Sequence, residues 1–571
     1  MIFQNLIAYY DRLLAEGRND IPPLGFSREE IGFSITLSRS RTLVGDPRDL
    51  RNKLAANRYI FFPSTVPYTN AVNVRAGKGA ATTPNFMVDK ADYIFGMSGS
   101  TAKPVHKKSF AELVEEVTGQ SDDPGVLAVK AFLAHWNPED SPELAFWDEI
   151  CGTHGKWVAF ELEGEAGFIH ERPAVQAMWQ EYLDKKEEEE CQQGRSLVTG
   201  KLGNLQKQYA QFKFGSGASL VSFNENAYES YNKKRGDNAP IHVIDEFKSS
   251  AALKYLFRSK SQRLTIGDAI TVFWTERDSP VEAFMGYVLN PQPGDDGADN
   301  QKIAQFLRAA KKGKTPDWQD YEGDVRFYIL GFSLNKARLA LRFCHDCSVD
   351  ELKDRIGEHF RCLEMERSFE KDFENPGVWH LLKETARETK GISPLLGGAL
   401  VRSILEGRNY PLNLYHGVLN RIRADQRISY LRAAILKAVL VRNYNMEVQM
   451  SLDEQQYDPA YLLGRLFAVL EKAQLDALGK INATIKDRFY GAASATPAAV
   501  FPRLLRLTQH HIAKAEYGHV SDRKIAEITE HLNGFPSHLD LQGQGMFAIG
   551  YYQQKNALYR KKQDEDKGEK K

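Results

Sequence analysis

Three short groups of residues have types and spacings that suggest catalysis, and each lacks part of its motif. Gly313-Lys314-Thr315 ends like a phosphate-binding loop, but Arg308 stands where that motif needs its first glycine. Cys344-His345-Asp346-Cys347 follows what reads as an apolar helix, and it has the His-Asp pair of metal-dependent nucleases but no second thiol pair at zinc spacing. His510-His511 lacks a Glu at zinc-protease spacing. We therefore expect no enzymatic activity and no bound metal, with a nuclease built on the His-Asp pair as the alternative.

A second group of residues has the types that contact DNA. The stretch 65–83, TVPYTNAVNVRAGKGAATT, shows little apolar periodicity and has glycines on both sides of a lysine, which predicts an exposed loop. Its amides and cations are groups that contact base edges and phosphates, and a phenylalanine just after it could wedge against a base step. The alternative is an ordinary surface loop that this phenylalanine attaches to the core. For the phenylalanine itself, core packing is favoured over a contact with DNA. The predicted DNA-reading residues are Asn73, Arg75, Lys78, Asn85 and Phe86.

The segment 219–240 interleaves aromatic rings and amides with cations. This combination suits a strand of nucleic acid, with stacking at ~1 to 3 kcal/mol per base, or an RNA-binding neighbour. Its Ser-Phe-Asn and Asn-Ala-Pro sequences could equally cap the turns of a sheet, and the residues do not decide between these interpretations. The candidate contacts are Asn224, Tyr228, Tyr231, Lys233, Lys234 and Arg235.

The segment 392–443 joins helical periodicity to a one-sided charge. Between 401 and 445 there are eight Lys and Arg and two acids, although the whole chain has 75 basic and 75 acidic residues. Arginine concentrated in a neutral protein favours a groove for a polyanion or a dock for a neighbouring subunit. An apolar stripe that includes Leu431 and Ile435 is core, and a solvated face with local ion pairs is the alternative for the arginines. The candidate groove residues are Arg402, Arg421, Arg423, Arg427 and Arg432.

The elements that must position these residues change character along the chain. Apolar residues at helical spacing over 2–14 predict an amphipathic helix, and the runs 33–38, 58–63 and 271–274 predict strands. After 391 the periodicity is helical throughout. The expected fold is α+β: a mixed N-terminal region with strands and a DNA-reading loop, followed by an all-helical C-terminal bundle. The predicted C-terminal helices are 394–406, 411–424, 427–444, 459–477, 498–516, 521–533 and 543–560.

Length and composition limit the organisation and the location. A chain of 571 residues exceeds the ~250 to 300 residues of one core, so we expect domains at 1–390 and 391–571, with a four-helix bundle at 446–571 after a polar break. Five scattered cysteines argue against a disulfide framework. The first residues do not read as a signal peptide, and no run approaches the ~20 apolar residues of a membrane span. We therefore expect a cytoplasmic protein.

Five sequence blocks add a family resemblance. They are IPPLGFSREEIGFSI at 21–35, TPNFMVDKADYIFG at 83–96, SLVSFNENAYESY at 219–231 with NAP at 238–240, FYILGFSLNKARLALR at 327–342, and FAIGYYQQKNAL at 547–558. Together with the segment 392–443, the chain resembles the large subunit of the type I-C CRISPR surveillance complex, Cascade. The blocks occur in the family's order, so the likeness covers nearly the whole chain.

The resemblance implies a non-catalytic subunit without a cofactor. Guide RNA would read the target by base pairing, while this subunit would recognise the protospacer-adjacent motif, help to open the duplex and stabilise the displaced strand. Region 1–390 would carry motif recognition and docking. Region 446–571 would correspond to a small subunit that internal translation could also produce from Met446 or Met450. A structural RNA-binding scaffold without motif recognition is the alternative. The implied partners are guide RNA, target DNA, backbone subunits, the 5′-handle-binding subunit, small subunits and a separate helicase-nuclease.

Overall fold

The computed structural model describes all residues except 19, 41, 56–57, 69–82, 153–155, 190–192, 213–216, 224, 267–268, 290–299, 318–320, 336–337, 370, 480 and 569–571. The chain forms two compact units. The first comprises Met1–Arg258 and Leu334–Ala340, and the second comprises Ser259–Ser333 and Leu341–Lys571. The expected domains 1–390 and 391–571 were also defined by their functional roles, and this division stays a prediction.

The first unit combines short helices with several small sheets. Its helices are α1 (Ile2–Ala15), α2 (Ala91–Ile94), α3 (Pro104–Thr118), α4 (Pro124–His135), α5 (Trp147–Cys151), α6 (Pro173–Glu189) and α7 (Val243–Arg258). Its strands are β1 (Phe26–Leu37), β2 (Arg48–Asp49), β3 (Asn52–Ala55), β4 (Arg58–Ile60), β5 (Phe62–Pro67), β6 (Val88–Asp89), β7 (Met97–Ser98), β8 (Thr101–Ala102), β9 (Trp157–Leu162), β10 (Gln193–Arg195), β11 (Leu202–Asn204), β12 (Gln211–Phe212) and β13 (Ala218–Ser219).

The predicted N-terminal helix is confirmed as α1. It buries Leu6, Tyr9, Tyr10 and Leu13, whose spacing puts them on one face of a helix. This face packs against α7, where the Tyr10 ring meets Phe247 edge-on at 5.9 Å between centroids. The apolar spacing over 2–14 is therefore explained by one helix pair.

The main sheet of this unit is built around β1. Strand β9 pairs with β1 in parallel, β5 and β2 pair with it antiparallel, and β6 pairs with β9. Helix α4 covers β1 and β9, so the Phe160 ring on β9 lies 5.9 Å from that of Phe132. The predicted strand 33–38 is confirmed within β1, and the predicted strand 58–63 is divided between β4 and β5.

The second unit combines helices with four neighbouring strands of one sheet. Its strands are β14 (Arg263–Ile266), β15 (Ala269–Thr275), β16 (Arg326–Asn335) and β17 (Arg338–Ser348). Its helices are α8 (Pro280–Leu289), α9 (Asn300–Lys312), α10 (Val349–Leu363), α11 (Val378–Lys383), α12 (Pro394–Glu406), α13 (Leu412–Asp425), α14 (Tyr430–Tyr444), α15 (Pro459–Leu478), α16 (Ile485–Ala495), α17 (Pro497–Lys514), α18 (Gly518–Thr529) and α19 (Leu541–Gly568).

The strands β14 to β17 lie in sequence order from one edge of this sheet. The predicted strand 271–274 is confirmed as part of β15. The apolar helix expected just before Cys344 is wrong, because 338–348 forms strand β17. Residues 334–340, which include the end of β16 and the start of β17, belong to the first unit, where Arg338 pairs with Ser219 of β13.

The helical C-terminal region is confirmed, and each predicted helix after 391 has an observed counterpart. Helix α16 was not predicted, because residues Ile485–Ala495 have a weak apolar pattern. Helices α15 and α19 form the most extensive helix pair, and glycines let their backbones approach closely. A Cβ on Gly464 would lie 2.0 Å from the Phe547 carbonyl oxygen, and one on Gly550 would lie 2.2 Å from that of Tyr461. Among the described residues, no helix is both long and apolar enough to cross a membrane.

Candidate nucleic-acid interface

The predicted DNA-reading loop is carried by the main sheet of the first unit. Asn73, Arg75 and Lys78 lie outside the described residues. On the N-terminal side of the loop, β5 pairs with β1, and the Tyr68 amide donates to the Gly25 carbonyl at 3.0 Å. The Tyr68 ring stacks on Trp157 of β9, with centroids 6.0 Å apart. This end of the loop therefore starts from a fixed position.

The C-terminal side of the loop is fixed by a buried carboxylate. Asp89 accepts from the Asn85 amide at 2.8 Å and from the Lys90 amide at 2.7 Å, while β6 pairs with β9. Met87, between them, has a φ of 58°, which a non-glycine residue adopts only where its surroundings enforce it. Both ends of the loop are thus attached to strands that border β1 or β9.

The structure places the Asn85 and Phe86 side chains inside the first unit. Phe86 is fully buried and stacks on Trp179 of α6, with centroids 5.3 Å apart. Asn85 is 2% exposed, and its Nδ2 has no hydrogen-bond partner in the described part of the chain. In this conformation both residues hold the end of the loop. A direct contact of either with DNA stays a prediction and requires this segment to move.

The aromatic and cationic segment forms an exposed turn. The Lys233 amide donates to the Ser230 carbonyl at 2.9 Å, and the two residues between them, Tyr231 and Asn232, have φ angles of 53° and 58°. These are the φ signs of a type I′ turn, which strongly favours Asn and Gly at its centre. Asparagine suits this conformation, whereas a bulky Tyr held there costs about 1 to 3 kcal/mol.

Asn238 holds this turn closed from behind. Its Nδ2 donates to the carbonyls of Lys233 at 2.9 Å and Arg235 at 3.1 Å, and its Oδ1 accepts from the Ser230 amide at 3.3 Å. Next to it, Gly236 lies against the chain, because a Cβ there would be 2.0 Å from the Gln206 carbonyl oxygen. Asn238 of the Asn-Ala-Pro sequence therefore stabilises a turn, but this turn lies outside the named strands, so the structure does not decide between the two interpretations of the segment.

The side chains around the turn point into solvent. Tyr231 is 94% exposed, and Lys233, Lys234 and Arg235 are exposed as well. The guanidinium of Arg338 lies 4.5 Å from the centroid of the Tyr228 ring. Asn224, also a candidate, lies outside the described residues. Five of the six candidates in this segment thus have described positions around one surface turn.

Ion pairs inside the second unit occupy several of the candidate arginines. Arg432 is 7% exposed and donates to Glu384 at 2.8 Å and to Asp425 at 2.6 Å. Arg421 also pairs with Asp425. Partial burial alone would raise the pKa of Asp425, but the hydrogen bonds from Arg432 and the charge of both arginines hold it below its usual value. Arg421 and Arg432 therefore join α13, α14 and the segment after α11.

The remaining three candidate arginines differ in exposure. Arg402 pairs with Glu406 at 2.9 Å, and Arg423 donates to Gln544 at the start of α19. Arg427 is exposed, in the loop between α13 and α14. Arg427 is therefore the candidate best placed to reach a partner, and the groove role of all five arginines stays a prediction.

Two further cations of the same segment are buried. Lys437 donates to the carbonyl of Glu364 at 2.8 Å and so caps the end of α10, where burial lowers its pKa. Arg442 lies 4.7 Å from the Tyr410 ring centroid, with Glu358 at 4.0 Å. Most of the cationic side chains of 392–443 thus contact groups within the second unit.

Two of the three groups that suggested catalysis have ordinary structural roles, at the end of a helix and on a strand. Gly313, with a φ of 62°, ends α9, and the next residue, Lys314, donates its amide to the Ala309 carbonyl at 2.9 Å. This is a helix C-cap, whereas a phosphate-binding loop must precede a helix. Cys344 and Cys347 lie three residues apart on β17, so their side chains face opposite sides of the sheet. Burial raises the pKa of Cys347 to about 11, which keeps it a thiol.

The buried titratable groups of the described residues lie in packed surroundings. No three His, Cys, Asp or Glu side chains converge on a metal position within the described parts of the chain. His170 is fully buried, accepts or donates a 2.9 Å hydrogen bond with Ser64, and has a pKa lowered to about 3 by burial. Burial also lowers the pKa of His359 to about 3 and raises that of Glu246 to about 7. These groups sit in the packed interior and face no described cleft.

Sequence reasoning missed two residues that shape the exposed turn. Asn238 was visible in the Asn-Ala-Pro block, but its hydrogen bonds to the turn could not be read from the sequence. Arg338 lies far along the chain and reaches Tyr228 only because 334–340 belongs to the first unit. Its position in the FYILGFSLNKARLALR block was the one available signal.

Comparison with protein families covers nearly the whole chain. No curated protein matches the chain. The model of the family of CRISPR-associated protein Csd1 matches residues 6–559 and so includes the loop, the exposed turn and the arginine-containing helices. Because the match spans nearly the whole chain, the resemblance seen in the sequence is confirmed: the chain belongs to the Csd1 family of CRISPR-associated proteins.

Proposed function

We propose that this chain is the non-catalytic large subunit of a type I-C CRISPR surveillance complex in the cytoplasm. The observation that carries the proposal is the family match over residues 6–559. In this role the chain recognises the protospacer-adjacent motif, assists duplex opening, stabilises the displaced strand and supports recruitment of a separate helicase-nuclease. Its partners are guide RNA, target DNA, backbone subunits, the 5′-handle-binding subunit and small subunits.

Motif recognition is assigned to the loop that contains Asn73, Arg75 and Lys78. Support comes from the two ends of the loop. Tyr68 is stacked on Trp157, and the backbone N–H of Asn85 donates to the Asp89 carboxylate. A reading element gains precision when rigid strands hold both of its ends. Cations contribute affinity through phosphates without sequence information, whereas base-edge contacts discriminate by about 1 to 3 kcal/mol each.

The experiment compares assembled complexes on duplexes with the correct and an altered motif, in gel-shift titrations. Arg75→Glu with Lys78→Glu should weaken binding to both duplexes, and Asn73→Ala should reduce the preference for the correct motif by about 5- to 150-fold. Lys390→Glu, at a side chain that is 86% exposed, is the matched charge-reversal control and should leave binding intact. A wild-type complex without any motif preference would contradict the proposal and favour a structural scaffold.

The roles of Asn85 and Phe86 are separated in the same assay. If Asn85 reads a base edge, Asn85→Ala lowers binding to the correct motif more than to the altered one. If it acts through the fixed end of the loop, binding to both duplexes falls equally. Phe86→Leu, which removes the stack on Trp179, should follow the second pattern, since Phe86 is fully buried.

A further inference from the structure

Tyr231 occupies a position that packing within the chain does not explain. A type I′ turn disfavours a bulky residue at its first central position, yet Tyr231 is held there with a φ of 53°. Its side chain is 94% exposed, so the ring buries almost nothing against the protein. Unfavourable backbone geometry that brings no packing in return is characteristic of binding sites.

The surroundings of this ring supply both positive charge and a second aromatic group. Lys233, Lys234 and Arg235 follow directly and are exposed, and the Arg338 guanidinium covers the Tyr228 ring at 4.5 Å. Three acids, Glu225, Glu229 and Asp237, lie in the same stretch of chain. The local field is therefore only moderately positive, and stacking has to provide a large share of any affinity.

Two features favour an unpaired strand of nucleic acid over other ligands. The bases of a duplex are stacked on each other and cannot stack on an exposed side chain, whereas unpaired bases can. A protein partner would need packed apolar contacts around its anchor residue, but residues 227–235 are exposed and apart from the two tyrosines are mostly polar or charged. The combination of a presented ring with adjacent cations is the usual arrangement for single strands.

We infer that the turn around Tyr231, with Lys233, Lys234, Arg235 and Arg338, binds an unpaired strand of nucleic acid by base stacking and phosphate contacts. The inference rests on the proposed function, because the surveillance complex supplies such strands as displaced DNA and as guide RNA. It extends that function by assigning the ligand of a surface that lies apart in sequence from the loop at 69–82.

The test measures binding of the full-length protein to short labelled single-stranded DNA, single-stranded RNA and duplex DNA by fluorescence anisotropy. Tyr231→Ala should weaken single-strand binding by about 5- to 150-fold, and Tyr231→Phe, which keeps the ring, should retain it. Tyr231→Gly should weaken binding like Tyr231→Ala while leaving the melting temperature unchanged or higher, because glycine tolerates a positive φ. Replacing the three cations with Gln should reduce the salt dependence by about 0.7 per lost phosphate contact.

Tyr517→Ala is the matched control, since Tyr517 is 66% exposed elsewhere on the chain and should not affect binding. Dependence on Tyr231 for DNA alone identifies the displaced strand, and dependence for RNA alone identifies the guide; either supports the inference. Equal affinities for Tyr231→Ala, Tyr517→Ala and wild type would overturn it, as would normal oligonucleotide binding by a Tyr231→Ala protein that no longer assembles. The motif preference of the assembled complex is measured separately. A wild-type complex that shows no such preference would count against the proposed function alone.

Discussion

Glu246 is a single residue whose ionisation should influence the stability of the first unit. Its carboxylate is buried on α7 and accepts from the Ala210 amide at 2.9 Å, while its Oε2 has no hydrogen-bond partner in the described part of the chain. Burial raises its pKa to about 7, against the opposing effects of the Ala210 hydrogen bond and the Lys254 charge. The folded protein therefore binds this proton more tightly than the unfolded chain does.

The expected consequence is a pH-dependent effect of Glu246→Gln. Because the folded pKa is raised, the stability contributed by the protonated carboxyl is fully present below about 4.5 and is lost as pH rises through about 7. Glu246→Gln cannot ionise and keeps an oxygen for the Ala210 amide, so its advantage over wild type should grow by at most about 3 kcal/mol between pH 5 and pH 8. Thermal unfolding across that pH range measures the difference.

Glu246→Ala serves as the control for this prediction. It also cannot ionise, but it leaves the Ala210 amide without its acceptor, so it should show the same trend with pH at a lower overall stability. A stability difference between Glu246→Gln and wild type that stays constant from pH 5 to pH 8 would show that the carboxyl does not titrate in this range.

Close packing between α15 and α19 gives a prediction at the scale of elements. Gly464→Ala should destabilise the second unit by about 1 to 3 kcal/mol, because the new Cβ would lie 2.0 Å from a backbone oxygen of α19 and the helices would have to separate. Gly491→Ala is the matched control: its Cβ would meet no atom within 4 Å, and alanine stabilises a helix by about 1 kcal/mol over glycine. Denaturant unfolding of both variants measures the two changes, and equal effects would contradict a special contact at Gly464.

The apolar spacing of the sequence predicted some helices and strands correctly and others not. Helix α1 was predictable, because its apolar spacing matches one buried face, whereas α14 is buried on nearly all sides, including Arg432, Lys437 and Arg442. Strand β17 was mistaken for a helix, since its alternation RLALRF also contains apolar residues three apart. Helix α16 was missed because its second half, GAASA, has no large apolar residue that would continue a helical pattern. Local periodicity is least informative for elements whose surroundings decide their structure.

The candidate interface depended more strongly on long-range contacts. Arg432 looked unpaired in a sequence window with two acids, but Glu384 from an earlier segment is one of its partners. Arg338 could not be connected with Tyr228, since nothing in the sequence shows that the two lie together. The residue types around 228–235 were informative, whereas their exposure and the positive φ of Tyr231 required the structure.

At the scale of the molecule, residues 446–571 contain an almost self-sufficient aromatic core. Phe467 of α15 contacts the rings of Tyr490, Phe501, Phe547 and Tyr551 on α16, α17 and α19, with centroids 5.7 to 6.3 Å apart. All five residues lie after the polar break, so the fragment retains these contacts without the rest of the chain. This supports the proposal that 446–571 can exist as a small-subunit-like bundle.

The same helices also make contacts that a separate fragment would lose. Helix α19 packs against α14, the Tyr415 hydroxyl donates to the Leu541 carbonyl at 2.8 Å, and the Tyr552 hydroxyl donates to the Glu366 carbonyl at 2.7 Å. A fragment that begins near Met446 would expose this face of α19. We therefore expect it to fold as a helical bundle, to be less stable than the full second unit and to associate through the exposed face.

The last prediction is that a polypeptide starting at Met446 or Met450 accompanies the full chain when the unaltered gene is expressed. Intact-mass measurement of the purified complex detects it, and Met446→Leu with Met450→Leu should remove it while leaving the full-length chain folded, since Met450 is 48% exposed and leucine can replace Met446 at the edge of the core. Circular dichroism of the separately expressed fragment 446–571 tests whether the bundle forms by itself. A complex that binds target fully but contains no such polypeptide would contradict the separate product, and a fragment without helical structure would contradict the autonomy of the bundle.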